Sequence, residues 1–118
     1  MAPLIECRVT FLPASAGGRR NPFRSGALCG NQYRPLLVIG DPAQRHALRD
    51  GNQLTEEYLG VAFHEGPTVV TPGEEIEATL CLIFYPHPAY DKLQPGVTFT
   101  VRQGVHIVGF GVVQRWLV

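Results

Sequence analysis

The sequence predicts an all-β fold, a small closed antiparallel β-barrel of six or seven strands. Three observations lead there. Turn formers are dense, with 13 glycines and 10 prolines in 118 residues, and no long helical periodicity interrupts them; such punctuation favours short strands joined by turns. Several of the intervening runs alternate apolar and polar residues with a period of two, the pattern of a strand wet on one face. One run, Ala78 to Tyr85, is almost continuously apolar after Glu77, as expected of a strand covered on both sides or closed into a barrel.

Strands are expected at Ile5–Leu12, Tyr33–Ile39, Tyr58–His64, Ile76–Tyr85, Val97–Arg102 and His106–Leu117. In the first, Cys7, Val9 and Phe11 alternate with Glu6, Arg8 and Thr10, so one face is buried and the other solvated. Gly17 to Gly26, GGRRNPFRSG, follows as a loop. Its paired glycines permit positive φ, Pro22 and Pro35 fix their own φ and restrict the residue before each, and Phe23 and Tyr33 are apolar anchors for a loop crossing the barrel. Ala27–Gln32 is a short excursion. Asp41–Glu57 is a longer, polar one, expected to hold a helical turn from Ala43 to Arg49 ending at Gly51. Loops of that length in a compact domain are usually functional or mobile. Thr71-Pro72-Gly73 has the residues of a type II turn. The last two strands read as a hairpin: Val97, Phe99 and Val101 alternate with Thr98, Thr100 and Arg102, and Gln103-Gly104 supplies the turn. Gly109 and Gly111 sit two apart on the return strand, where glycine lets another backbone approach closely.

Length and composition set the class. A chain of 118 residues that is 45% hydrophobic is expected to form one soluble domain over residues 1–118, with the excursion at 41–57 as its main departure. No apolar run approaches the roughly 20 residues of a membrane helix. The N-terminal stretch carries Glu6 and Arg8 and lacks the basic-then-apolar pattern of a secretory signal, so a cytoplasmic location is expected. Cys7, Cys29 and Cys81 match neither a disulfide framework nor a metal-binding spacing. Cys7 and Cys81 lie in strand-like runs and read as buried small hydrophobes; Cys29 is the one expected to be exposed. Net charge is zero, yet residues 1–50 carry seven arginines against three acids, and residues 51–118 carry seven acids against three bases.

Catalytic patterns are missing. There is no GxxxxGK[ST] phosphate loop, and the sole lysine, Lys92, lies in YDKLQPG, so no GTP chemistry is expected. His46, His64, His87 and His106 are scattered singly, without HxH or HExxH spacing, and read as surface or turn histidines. Glu74, Glu75 and Glu77 read as a solvated cluster at the start of a strand. Neither a cofactor nor an enzymatic activity is expected. The candidate binding residues are Arg19, Arg20, Arg24 and Arg34, gathered about the glycine loop with Phe23 and Tyr33 between them. Guanidinium groups bind phosphate bidentately and aromatic faces stack bases; the opposing reading is an internally paired Arg34, a core Phe23 and a merely solvated basic loop.

Gly17, Gly18, Arg19, Pro22 and Phe23, then Tyr33-Arg34-Pro35, then Pro72-Gly73, and finally Gly96, Phe99, Arg102, Gly104, Val108, Gly109, Gly111, Val112 and Val113 together resemble the C-terminal β-barrel domain of elongation factor Tu. The resemblance covers most of the chain and implies that domain's fold, without the factor's GTPase and second domains. It also implies a role for the hairpin tip, Arg102, Gln103, Gly104 and His106, because the family's tip belongs to the surface that holds the T-stem of tRNA. The sequence departs from the family there and at Arg20, Leu36 and Glu74. The expected function is therefore a non-catalytic binding module for a protein partner, a translation component or a toxin recognising the factor. The other reading is an RNA- or tRNA-binding module using the Arg19–Arg24 loop and the 102–106 tip.

Overall fold

Alternation of apolar and polar side chains makes Leu4–Phe11 the first strand, β1: Ile5, Cys7, Val9 and Phe11 are buried in the core, and Glu6, Arg8 and Thr10 face outward. In the computed structural model, which describes residues 3–117, the same logic sets β2 (Leu36–Ile39), β5 (Leu59–Glu65), β6 (Glu75–Leu82), β7 (Thr98–Gln103) and β8 (His106–Leu117). These six close into an antiparallel barrel in the order β1-β6-β5-β2-β7-β8, with β8 pairing back onto β1. A separate two-stranded ladder, β3 (Arg49–Asp50) with β4 (Gln53–Leu54), lies outside it. No α-helix occurs among the described residues, only 3-10 turns at Ala14–Ala16 and Pro88–Lys92. The expected all-β closed barrel is what forms, with six strands.

Two expected turns are present and explain their glycines. Gly73 has φ +88° and the Glu74 N–H donates to the Thr71 carbonyl at 3.1 Å, a type II turn with Pro72 and Gly73 at its centre. The β7–β8 hairpin turns one residue later than expected. Gln103 pairs with His106, and Gly104-Val105 are the central residues. Gly104 takes φ +60° while Val105 does not go positive, the pattern of a type II′ turn.

Local pattern misjudged which strands are covered. The apolar run expected as one strand to Tyr85 leaves the sheet at Leu82, and Phe84 and Tyr85 are exposed. The strand buried on both faces is instead β5, where Leu59 to Phe63 are all buried. Its outer face is small, and the loop after β6 folds over it. A side chain at Gly60 would meet the Phe84 ring, and the buried Tyr90 hydroxyl donates to the Gly60 carbonyl at 2.6 Å while accepting the Phe84 N–H at 3.1 Å. Both faces of β7 are also covered: Phe99 and Val101 point into the core, yet Thr100 and Arg102 are buried as well.

The regular β2 ladder begins at Leu36 rather than Tyr33, because Pro35 has no N–H to give. Looser pairing continues upstream, from Val61 N–H to the Pro35 carbonyl at 3.2 Å and from Phe63 N–H to the Tyr33 carbonyl at 2.9 Å. The helical turn expected at Ala43–Arg49 does not form. Only a single turn starts there, with the Asp41 carboxylate accepting the Ala43 N–H at 2.8 Å and its carbonyl the Gln44 N–H at 3.1 Å; the Leu48 N–H then goes to the Glu56 carboxylate at 2.8 Å rather than back to Gln44, and Arg49 enters the small hairpin. Of the thiols, Cys7 is fully buried and burial, assisted by the neighbouring Glu6 charge, pushes it up to about 12. Cys81 faces outward between the inward Leu80 and Leu82, so it is half-buried, contrary to expectation, and no less exposed in kind than Cys29.

Candidate functional site

The glycine loop is shaped by two different demands on its paired glycines. Gly17 ends the Ala14–Ala16 turn with φ +91°, its N–H on the Ala14 carbonyl. Gly18 has ordinary φ but lies so close to the Leu12 carbonyl that a Cβ would strike it. The chain that leaves this corner lays Arg19 across an aromatic cluster. Its guanidinium carbon stands 4.0 Å from the Phe23 ring centroid and 5.4 Å from that of Tyr33. The rings beneath are packed edge-on, Phe11 with Phe23 at 4.8 Å and Phe23 with Tyr33 at 4.8 Å, and continue inward through Phe63 at 5.4 Å from Tyr33.

One side chain of the terminal hairpin completes the cluster. The Gln103 amide oxygen accepts the Tyr33 hydroxyl at 2.7 Å and Arg19 Nη1 at 3.2 Å. Burial pushes the Tyr33 phenol well above its ordinary range, against the opposing pull of Arg19, so it remains a hydrogen donor. The glycine loop and the hairpin tip, distant in sequence, thus become one surface. A depression of about 470 Å³ opens beside it, lined in part by Arg19, Arg24, Asn21 and Gln32 with Phe23 and Tyr33.

The expected site residues divide accordingly. Arg19 and Gln103 are brought together, and Arg24 lines the depression beside Arg19. Gly104 forms the exposed tip and His106 is exposed opposite Gln103. Arg20 and Arg34 are exposed outside the depression, and Arg34 Nε donates to the Asn31 carbonyl at 3.0 Å. Phe23 is half-buried against the core. Arg102 is the correction. It was expected to contribute to the tip, but its side chain is 0% exposed and its guanidinium turns to the 41–57 segment. There Nη1 and Nη2 donate to the two oxygens of Glu56 at 2.9 Å each, Nε donates to Thr100 Oγ1 at 2.9 Å, and the Tyr58 ring lies 5.8 Å away. Glu56 and Tyr58 were not singled out from the sequence. An outward-facing arginine on a strand signals a need for an acid, but not which of ten.

This ion pair has a pH signature. The Arg102 hydrogen bonds lower Glu56 from its ordinary 4.5 to about 2, burial working against them and Gln44 and the Leu48 N–H adding to them. A depressed carboxylate contributes stability that is present above its unfolded pKa and lost as pH falls through the folded one. Urea unfolding is therefore expected to lose roughly 3 kcal/mol from this group between about pH 4.5 and pH 2. Glu56→Gln should flatten that part of the profile; an unchanged profile would contradict the pairing.

Among the described residues, no three His, Cys, Asp or Glu side chains gather to hold a metal ion. No helix there is long and apolar enough to cross a membrane. No family model matches the chain.

Proposed function

We propose that this chain is a non-catalytic binding module of the cytoplasm, related to the C-terminal domain of elongation factor Tu, which engages a protein partner through the surface made by Arg19, Arg20, Arg24, Gln103, Gly104 and His106. The partner is a translation component or a toxin that recognises the factor, and no nucleotide is bound by this chain by itself. The observation that carries the reading is the junction of Arg19, Tyr33 and Gln103, which unites the two segments of the resemblance in one preformed surface. Arginine beside half-buried aromatics is the composition that protein interfaces favour. Binding of RNA by base stacking is disfavoured, because Phe23 and Tyr33 are packed against other rings and covered by Arg19. A net charge of zero also gives little long-range pull on a polyanion.

The RNA- or tRNA-binding reading uses the Arg19–Arg24 loop and the 102–106 tip, of which Arg20, Arg24, Gly104 and His106 are exposed. The two readings separate in fluorescence anisotropy with tRNA and an unrelated RNA at low and moderate salt. RNA binding is expected to be weak and its pattern unaffected by Arg→Ala at 19, 20 or 24, whereas Arg20→Glu with Arg24→Glu should abolish capture of the protein partner in cross-linking and mass spectrometry. Submicromolar tRNA binding that persists at moderate salt would decide for RNA, particularly if each Arg→Ala lowers the salt slope by roughly one unit.

A further inference from the structure

The depression of about 470 Å³ beside the Arg19–Gln103 junction carries unbalanced positive charge. Arg19 and Arg24 both line it, and no carboxylate does. Arg19 is already fixed: its guanidinium carbon lies 4.0 Å from the Phe23 ring centroid, Nε donates to the Asn21 carbonyl at 3.3 Å, and Nη1 donates to the Gln103 amide oxygen at 3.2 Å. A guanidinium has five N–H groups, so these two bonds leave three of them on Arg19 without a partner. Arg24 is exposed, and among the described residues its guanidinium has neither an ion pair nor a hydrogen bond. The acids that bond arginines do so elsewhere, Glu75 with Arg8, Glu56 with Arg102 and Glu6 with Arg115.

The rest of the lining suits a side chain. Ala27 and the half-buried Phe23 and Tyr33 offer an apolar wall to the methylenes of an incoming residue. The Asn21 and Gln32 side-chain amides, also on the wall, can each donate or accept. Charge is confined as well. Arg20 and Arg34 lie outside the depression, so the guanidinium groups within it serve one pocket and form no track along which successive phosphates could be neutralised. Two forked donors beside an apolar wall match a carboxylate carried on a short alkyl stem.

We propose, on the reading that this surface engages a protein, that the depression is the socket for a glutamate in an acidic segment of that partner. Its carboxylate bonds Arg24 and the free N–H groups of Arg19, and its methylenes lie against the apolar wall. Arg19 is the pre-positioned contact, because the Phe23 ring and Gln103 hold it before binding and little side-chain freedom is lost. Arg24, unrestrained, supplies the contact that binding must order.

Nuclear magnetic resonance titration of the isotope-labelled chain tests the socket, using a short peptide of alternating Glu and Gly and its Gln-and-Gly counterpart. With the acidic peptide alone, saturable shifts are expected at the Arg24, Ala27, Gln32 and Tyr33 amides and at Nε of Arg19 and Arg24. Arg24→Gln should weaken binding about tenfold. Arg49→Gln removes an equal charge from the exposed 41–57 strap outside the barrel and should leave binding unchanged. Both replaced side chains are exposed, so neither variant threatens the fold. Equal shifts with the two peptides, shifts spread over all the arginines, or an equal loss in the two variants would each refute the socket. So would an oligouridylate that saturates the same resonances at a lower concentration, since it would assign the depression to phosphate. Partner capture that needs Arg20 and Arg24, with no binding of the acidic peptide, would remove the socket and leave the interface standing. Peptide bound in the depression, with capture undiminished by Arg20→Glu and Arg24→Glu, would keep the socket and remove the interface.

Discussion

Gly111→Ala is expected to destabilise the barrel by about 2–3 kcal/mol and to lower Tm by roughly 10 °C. Gly111 sits in β8 opposite Val9 of β1 on one side and Phe99 of β7 on the other. A Cβ there would collide with the Arg8 carbonyl and come within 2.8 Å of Phe99 Cζ. Neither neighbour yields readily, because the carbonyl belongs to a paired strand and Phe99 is fully buried in the core. Relief requires widening the β1–β8 seam that closes the barrel. Gly104→Ala is the contrasting variant: open space surrounds it, so only the strain of its φ of +60° is added, and a smaller loss of about 1 kcal/mol is expected. Thermal melts of the two variants make the comparison. A Gly111→Ala protein that melts with the unaltered chain would show that the seam can relax.

Phe11→Ala is expected to cost about 3–5 kcal/mol, the range for emptying a large aromatic site in a core, and to loosen the Arg19 surface as well. Phe11 is 3% exposed and ends β1 where the barrel meets the glycine loop. Its ring contacts Phe23 at 4.8 Å, Phe63 at 5.8 Å and Tyr33 at 6.1 Å, so core and loop share it. Removing it leaves Phe23 without its edge-on partner and takes away the base on which Arg19 rests. Urea titration measures the first effect. The second should appear as faster hydrogen exchange at the Gly30 and Asn31 amides, which bond the His64 and Phe63 carbonyls at 3.0 Å, under conditions where the rest of the barrel stays protected. Loss of stability without change at those amides would mean that the loop is held by Gln103 and not by the rings.

How much of this was legible before folding depends on the distance over which each feature is decided. The six barrel strands, the type II turn at Pro72-Gly73 and the close approach at Gly109 and Gly111 all follow from neighbouring residues. Side-chain alternation, a positive φ or a missing Cβ leaves its mark within a few positions of the chain. The end of β6 was misread because apolarity continues from Leu82 into Phe84 and Tyr85, which serve as a cover for Gly60 and as exposed loop rather than as strand. The helical turn at Ala43–Arg49 was misread because the Leu48 N–H, which a helix would give to the Gln44 carbonyl, goes instead to the Glu56 carboxylate, an acceptor eight positions on.

By itself, then, the sequence determined an all-β barrel, its turns and the inward face of β1, because those depend on local periodicity and on backbone freedom. Only the tertiary structure decided that β5, not β6, is covered on both sides, and that Arg19 and Tyr33 meet on Gln103. It alone turned Arg102 away from the hairpin tip, under a strap held by Glu56 46 positions away. The physical reason is that a period-2 pattern encodes which side of a strand is apolar, whereas the cover on its outer face, and the acid that an outward arginine finds there, depend on segments that barrel closure brings together.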